Sequence, residues 1–218
     1  MKIRKLINEN RYFLVPYLFT LIICGFLLII FAKPELHIFS NKANSVFFDY
    51  FFKYATYLGD GAMIVILTII LLFIKYRYAI VFFIGGLLTG GIINLFKKVI
   101  LDDVFRPSKY FELYETHQLH FIEGVNLHSL NSFPSGHTGT AFNVFFMLAI
   151  IAKTKMQKLF FFIIAALVAY SRVYLSQHFL IDITVGSAIG TTVILLLFWW
   201  FSKSNKTWFD NSLIRKNE

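Results

Sequence analysis

Residues 158–201 read KLFFFIIAALVAYSRVYLSQHFLIDITVGSAIGTTVILLLFWWF, and this stretch decides the fold. Its two apolar runs, 158–175 and 179–201, each have the length that crosses a hydrocarbon core ~30 Å thick as a helix rising ~1.5 Å per residue. The link between them is so short that the two helices must be antiparallel neighbours. At their junction stand Ser171, Arg172, His178 and Asp182, polar groups that are costly beside lipid and by default mark function.

Reading outward, further apolar runs fall at about 12–32, 56–74, 78–97 and 135–152. The expectation is an all-α polytopic membrane protein: six transmembrane helices in one domain over 1–218, with a core at about 56–201. The 57% share of apolar residues and mean hydropathy of +0.66 exceed those of an average soluble domain. No repeat, low-complexity tract or flexible linker suggests a second domain. The first run follows Lys2, Arg4 and Lys5 as a secretory signal would, but it is too long for a signal core and lacks a small-x-small cleavage site. Residues 1–11 mix Ile3, Leu6 and Ile7 with basic residues, a pattern suited to lying along a membrane surface.

The net charge of +9 is a topology signal. With six alternating spans, segments 1–11, 75–78, 153–158 and 202–218 carry 13 of the 21 Lys and Arg. That asymmetry places both termini in the cytoplasm, makes anionic lipid a secondary contact and argues against nucleic acid as a partner. The lone Cys24 forms no internal disulfide or thiolate cluster, Trp199, Trp200 and Trp208 suit an interfacial belt, and most of the 27 Phe face lipid or neighbouring helices. Gly86 with Gly90, and Gly186 with Gly190, have the small-xxx-small spacing that lets helices approach closely.

On this topology three polar clusters converge on the outer face: Lys97-Lys98 with Arg106-Pro107, Pro134-Ser135-Gly136-His137, and Ser171-Arg172 with His178 and Asp182. A Pro-Ser-Gly turn opening a helix offers backbone N–H groups and a hydroxyl to an anion, and His137 in the first turn can deliver a proton. The four-residue step from His178 to Asp182 puts them on one helix face. There the carboxylate fixes the imidazole tautomer and leaves the other nitrogen free to attack. Arg172 contributes a planar fork of donors, and Lys98 and Arg106 add cations. Phosphoryl transfer needs positioning and charge neutralisation, which fixed cations can supply without metal.

These residues resemble the type 2 phosphatidic acid phosphatases (PAP2), relatives of the vanadium haloperoxidases. The family pattern of Lys-x6-7-Arg-Pro, Pro-Ser-Gly-His and Ser-Arg-x5-His-x2-4-Asp is met by Lys98-x7-Arg106-Pro107, Pro134 to His137, and Ser171-Arg172-x5-His178-x3-Asp182. The resemblance implies a six-helix membrane enzyme without metal or other cofactor. In it His178 is the nucleophile, Asp182 orients it, and His137 protonates the leaving oxygen and later activates water. Lys98, Arg106, Ser135, Gly136 and Arg172 would hold the phosphate. The usual spacing from Lys to Arg is six, against seven from Lys98 and eight from Lys97, so either the segment loops out near Asp102-Asp103 or the choice between the two lysines stays open; Lys98 is the one assigned.

The expected substrate is a phospholipid or isoprenoid-lipid phosphate: phosphatidic acid, phosphatidylglycerol phosphate, undecaprenyl diphosphate or a lipid A phosphate. It would be hydrolysed at the outer leaflet of the inner (plasma) membrane. Rivals are a phosphotransferase using the same intermediate and a transporter or flippase, although the polar groups gather at one end and do not line a midplane path. His117 and His120 lack a third metal ligand, His37 and His128 belong to no motif, and Asp60 is read as a helix-start residue.

Overall fold

The computed structural model describes residues 2–101 and 103–215. Among them are ten α-helices and no strand: α1 (Ile3–Glu9), α2 (Arg11–Ile30), α3 (Lys33–Lys42), α4 (Val46–Ala55), α5 (Ala62–Leu72), α6 (Tyr76–Leu95), α7 (Pro107–Tyr114), α8 (Gly136–Ile151), α9 (Lys155–Tyr174) and α10 (Leu180–Phe201).

Six spans are too simple a description. Helices α2, α6, α9 and α10 are long and apolar enough to cross a bilayer, α6 together with the π turn that follows it. The expected span at 56–74 is broken: α4 with a 3-10 turn at Thr56–Gly59 meets α5 at 57°. The break falls at Gly59-Asp60-Gly61, where Asp60 Oδ1 accepts from the Ala62 amide at 2.8 Å to start α5, as its helix-start reading expects. The span at 135–152 becomes the 16-residue α8, about 24 Å long. Segments 33–55 and 98–134 contain α3, α4 and α7. These helices open on ordinary start signals: Pro34 in the first turn, Ser45 Oγ accepting from the Phe48 amide, and Pro107.

Helix α8 is the centre of the bundle. It packs against α6, α9 and α10, and Phe142, Phe145, Phe146 and Met147 are buried. Phe13 of α2 closes over it, its ring 4.9 Å from that of Phe146. Within a bilayer, lipid tails are as apolar as these side chains, so what holds the bundle here is close packing between helices. Two glycines of α10 set how closely α8 can lie: a Cβ at Gly186 would sit 2.5 Å from Ser135 O, and one at Gly190 would run into Gly139 O. Those backbone atoms cannot yield, so the small-xxx-small reading holds there. In α6 it holds only in part: a Cβ at Gly86 would meet Ile64, whereas Gly90 has nothing within 4 Å.

The basic links gather at the end of the bundle away from the α9–α10 turn. Lys158 at the head of α9 donates to Asn10 Oδ1 at 2.8 Å and to Ala149 O at 2.9 Å. Arg77 at the head of α6 donates to the carbonyls of Phe201 and Ser204 and reaches Asp210 at 3.3 Å. The described N- and C-terminal segments therefore share one end, and the three polar clusters share the other.

Candidate active site

The turn from α9 to α10 is built around a buried pair. His178 Nδ1 lies 3.3 Å from Asp182 Oδ2, and both residues are 1% exposed. A carboxylate only accepts, so Nδ1 carries the proton and Nε2 keeps its lone pair. The same Oδ2 accepts from the Phe179 amide at 2.9 Å and from the Ser132 hydroxyl. Three donors on one oxygen hold the carboxylate in place. The chain reaches His178 through Ser176, whose φ of 51° is in the left-handed region and turns the backbone sharply. Burial, reinforced by the nearby Arg106 and Arg172 guanidiniums and opposed by Asp182, pushes the His178 imidazole down to about 3, so it is neutral at ordinary pH.

Two arginines flank this turn. Arg172, near the end of α9, donates from Nη1 to Thr56 Oγ1 at 2.7 Å and from Nη2 to Gln177 Oε1 at 3.4 Å. Its Nε is buried without an acceptor. Arg106, just before α7, donates from Nε to Leu130 O at 3.0 Å and from Nη1 to Gln177 O and Oε1, each at 3.2 Å. Ser135 caps α8, its Oγ accepting from the Thr138 amide at 3.4 Å, and its own amide donates to Asp182 O at 3.0 Å. The second and third clusters are thus joined through one backbone hydrogen bond.

His137 faces a different environment. With Gly136, Lys97, Asn94, Gly90 and Thr140 it lines an open cavity of about 160 Å³ between the α4–α5 break, α6 and α8. Its Nε2 lies 3.8 Å from Asp60 Oδ2, and the two side chains are 35% and 47% exposed. Gly59 makes this approach possible, because a Cβ there would meet His137 O at 2.6 Å.

Lys97, and not Lys98, lines that cavity; Lys98 is exposed. The spacing favours Lys98, and that Lys97 is the one facing the cavity has a helical reason. Residues Phe96–Ile100 form a π turn, closed by Leu101 N donating to Phe96 O at 2.8 Å, and a π turn takes up one additional residue in a helix. Counted from Lys97 the spacing to Arg106 exceeds the family's upper limit by one, the residue such a turn absorbs. Asp102, where a loop-out was the alternative, lies outside the described residues.

Sequence reasoning missed four residues, one of them Thr56, whose hydroxyl accepts from Arg172. Ser132 and Gln177 bond the site directly, and His37 (2% exposed) puts Nε2 3.1 Å from Ser176 Oγ and its ring centroid 5.3 Å from that of Phe179. Gln177 lies inside the x5 of the motif and Ser132 two residues before Pro134, so only adjacency to the motifs could have flagged them; His37, on α3, had no signal. Ser171 Oγ bonds its own helix at Val168 O, 2.6 Å away. His120 pairs with Asp49 at 3.0 Å, and no group of three or more His, Cys, Asp or Glu among the described residues is placed to hold a metal ion.

A family model described as the PAP2 superfamily matches residues 78–206, more than half of the chain. Among solved structures, LpxE of Aquifex aeolicus is similar at 25% identity and a TM-score of 0.67, over 79% of this chain and 98% of that one. The first transmembrane PAP2-type phosphatidylglycerolphosphate phosphatase from Bacillus subtilis is similar at 24% identity and a TM-score of 0.57, over 89% of this chain and 98% of that one. A search of curated proteins finds no match.

Proposed function

The chain belongs to the PAP2 superfamily, and on that premise we propose that it is an integral-membrane lipid phosphatase working through a phosphohistidine. The observation that carries the reading is a neutral, oriented imidazole beside two buried guanidiniums, with Arg172 Nε still lacking an acceptor. Such a set recognises a phosphoryl group and has little other use in an apolar bundle.

In the proposed reaction His178 Nε2 attacks phosphorus in line as the bond to the leaving oxygen breaks. His137 gives that oxygen its proton. Asp182 holds Nδ1–H and offsets the positive charge that builds on the ring. Water then attacks the phosphohistidine, passes a proton to His137 and releases inorganic phosphate, which restores both histidines. Arg106, Arg172 and Lys97 bind the phosphoryl oxygens, with the Ser135 hydroxyl and Gly136 at the head of α8 beside them; the lysine role moves here from Lys98 to Lys97. These cations lie within electrostatic reach of His137, opposed by Asp60, and a phosphate dianion adds the negative charge that lets His137 hold a proton. No metal enters the scheme.

The substrate proposed is a phosphomonoester or diphosphate of a phospholipid or isoprenoid lipid, because the site opens where membrane-length helices end. The sided charge supports cytoplasmic termini and a site on the outer face of the inner (plasma) membrane. The test is phosphate release from a lipid panel in detergent with EDTA present. Wild type should turn over and His178→Ala should lose on the order of 10⁵-fold or more, as enzymes stripped of a nucleophile do. Turnover that EDTA abolishes and magnesium restores would sink the mechanism.

A further inference from the structure

Gln177, 2% exposed, lies between the two guanidiniums. Its Oε1 accepts from Arg106 Nη1 at 3.2 Å and Arg172 Nη2 at 3.4 Å, while its Nε2 donates to Asn126 O at 3.0 Å. Its backbone carbonyl accepts again from Arg106 Nη1 at 3.2 Å, and its amide donates to Arg172 O at 2.9 Å. Two buried like charges repel, and this one carboxamide oxygen gives both an acceptor. An oxygen between two guanidinium forks is also the surrounding a phosphoryl oxygen needs, and an ionised acceptor there makes hydrogen bonds roughly twice as strong as a neutral one.

We propose that Gln177 is a positioning residue whose Oε1 stands in for a phosphoryl oxygen. It assembles the Arg106–Arg172 clamp before substrate arrives and yields its N–H groups to the incoming phosphate. This rests on the phosphatase reading of the same site. A neutral amide suits this role, since an apolar side chain removes the one acceptor the two cations share and a carboxylate holds them against the substrate. Anchorage to Asn126 also ties the clamp to the segment between α7 and α8, so that segment acts on phosphate affinity without touching phosphate.

Orthovanadate is the probe, read by the shift in melting temperature and by inhibition of phosphate release, in wild type, Gln177→Glu and Gln177→Leu. In Gln177→Glu the vanadate constant and KM should each rise about tenfold or more, equivalent to ~1.4 kcal/mol or more, while kcat falls by less. Gln177→Leu should melt lower than wild type and recover more of that loss when vanadate is added. If Gln177→Leu does not fold, Gln177→Glu carries the test alone. Vanadate constants and KM within twofold of wild type in Gln177→Glu would overturn the stand-in role and leave the phosphatase reading intact. A wild type that neither binds vanadate nor releases phosphate would overturn both.

Discussion

The two histidines of the site occupy opposite kinds of surroundings. The side chain of His178 is 2% exposed, its partner Asp182 is 1% exposed, and that carboxylate is fixed by further bonds from Ser132 and Phe179. His137 is 35% exposed, faces an open cavity, and has one loose contact to Asp60 at 3.8 Å. The α9–α10 side is closed; the side between the α4–α5 break, α6 and α8 is open. The difference fits the proposed division of labour, in which a nucleophile must be aimed and kept unprotonated whereas an acid must trade protons with water and leaving groups.

On that contrast, damage on the closed side should be the larger. Asp182→Asn keeps the shape but reverses the hydrogen-bond logic at His178, so kcat should fall by about 10²–10⁴-fold, by analogy with the orienting carboxylate of a Ser-His-Asp triad. Ser132→Ala removes only one of three donors and should lose far less. Steady-state phosphate release measures both. Equal losses in the two variants would mean that Asp182 serves the loop and not the imidazole.

On the open side the sharpest contrast lies between adjacent lysines. Lys97→Ala should reduce kcat by roughly 10²–10³-fold, the effect of deleting one preorganised charge donor, and Lys98→Ala should stay within about twofold, since its exposed charge is screened by water. A loss confined to Lys98→Ala would restore the assignment made from spacing and remove the π turn from the account.

Two glycines carry the same contrast into packing. Gly190→Ala drives a methyl into the Gly139 carbonyl and should destabilise the protein by about 1–3 kcal/mol, the range for overpacking. Gly90→Ala meets nothing within 4 Å and should leave the melting temperature unchanged. Matching melting temperatures would show that the closed side is looser than drawn.

Much of this was legible in the residues because the chemistry restricts which types can serve. His178, Asp182, Arg172, Arg106, Ser135 and His137 are polar groups in apolar sequence, and helix alternation alone brought them to one end. Three features were not. The lysine phase depends on a single π turn, which leaves no mark in hydropathy. The break between α4 and α5 was announced only by Gly59-Asp60-Gly61 in an otherwise continuous apolar run. Gln177, Ser132 and His37 act through contacts made between distant segments, which neither spacing nor periodicity records. Helices α3, α4 and α7 are short and partly polar, so their capping residues were their only sequence signal.

The mildest effect concerns Asp60, and its sign follows from the two histidines. The proposed mechanism requires neutral His178 and protonated His137. Burial holds His178 down to about 3, so acidification to pH 5 leaves the nucleophile competent, and in the enzyme loaded with a phosphate dianion, which offsets the cations around His137, the rate should fall as pH rises and His137 loses its proton. Asp60 gives the His137 imidazolium its counter-charge at 3.8 Å, and Asp60→Asn removes that charge with little change of shape. The alkaline limb of kcat against pH should then move to lower pH by about one unit or less, because a half-exposed pair contributes at most ~1 kcal/mol. The acid side should not move. A shift of the acid limb instead would mean that Asp60 acts on His178 through the bundle, and the separation of a closed nucleophile from an open acid would fail.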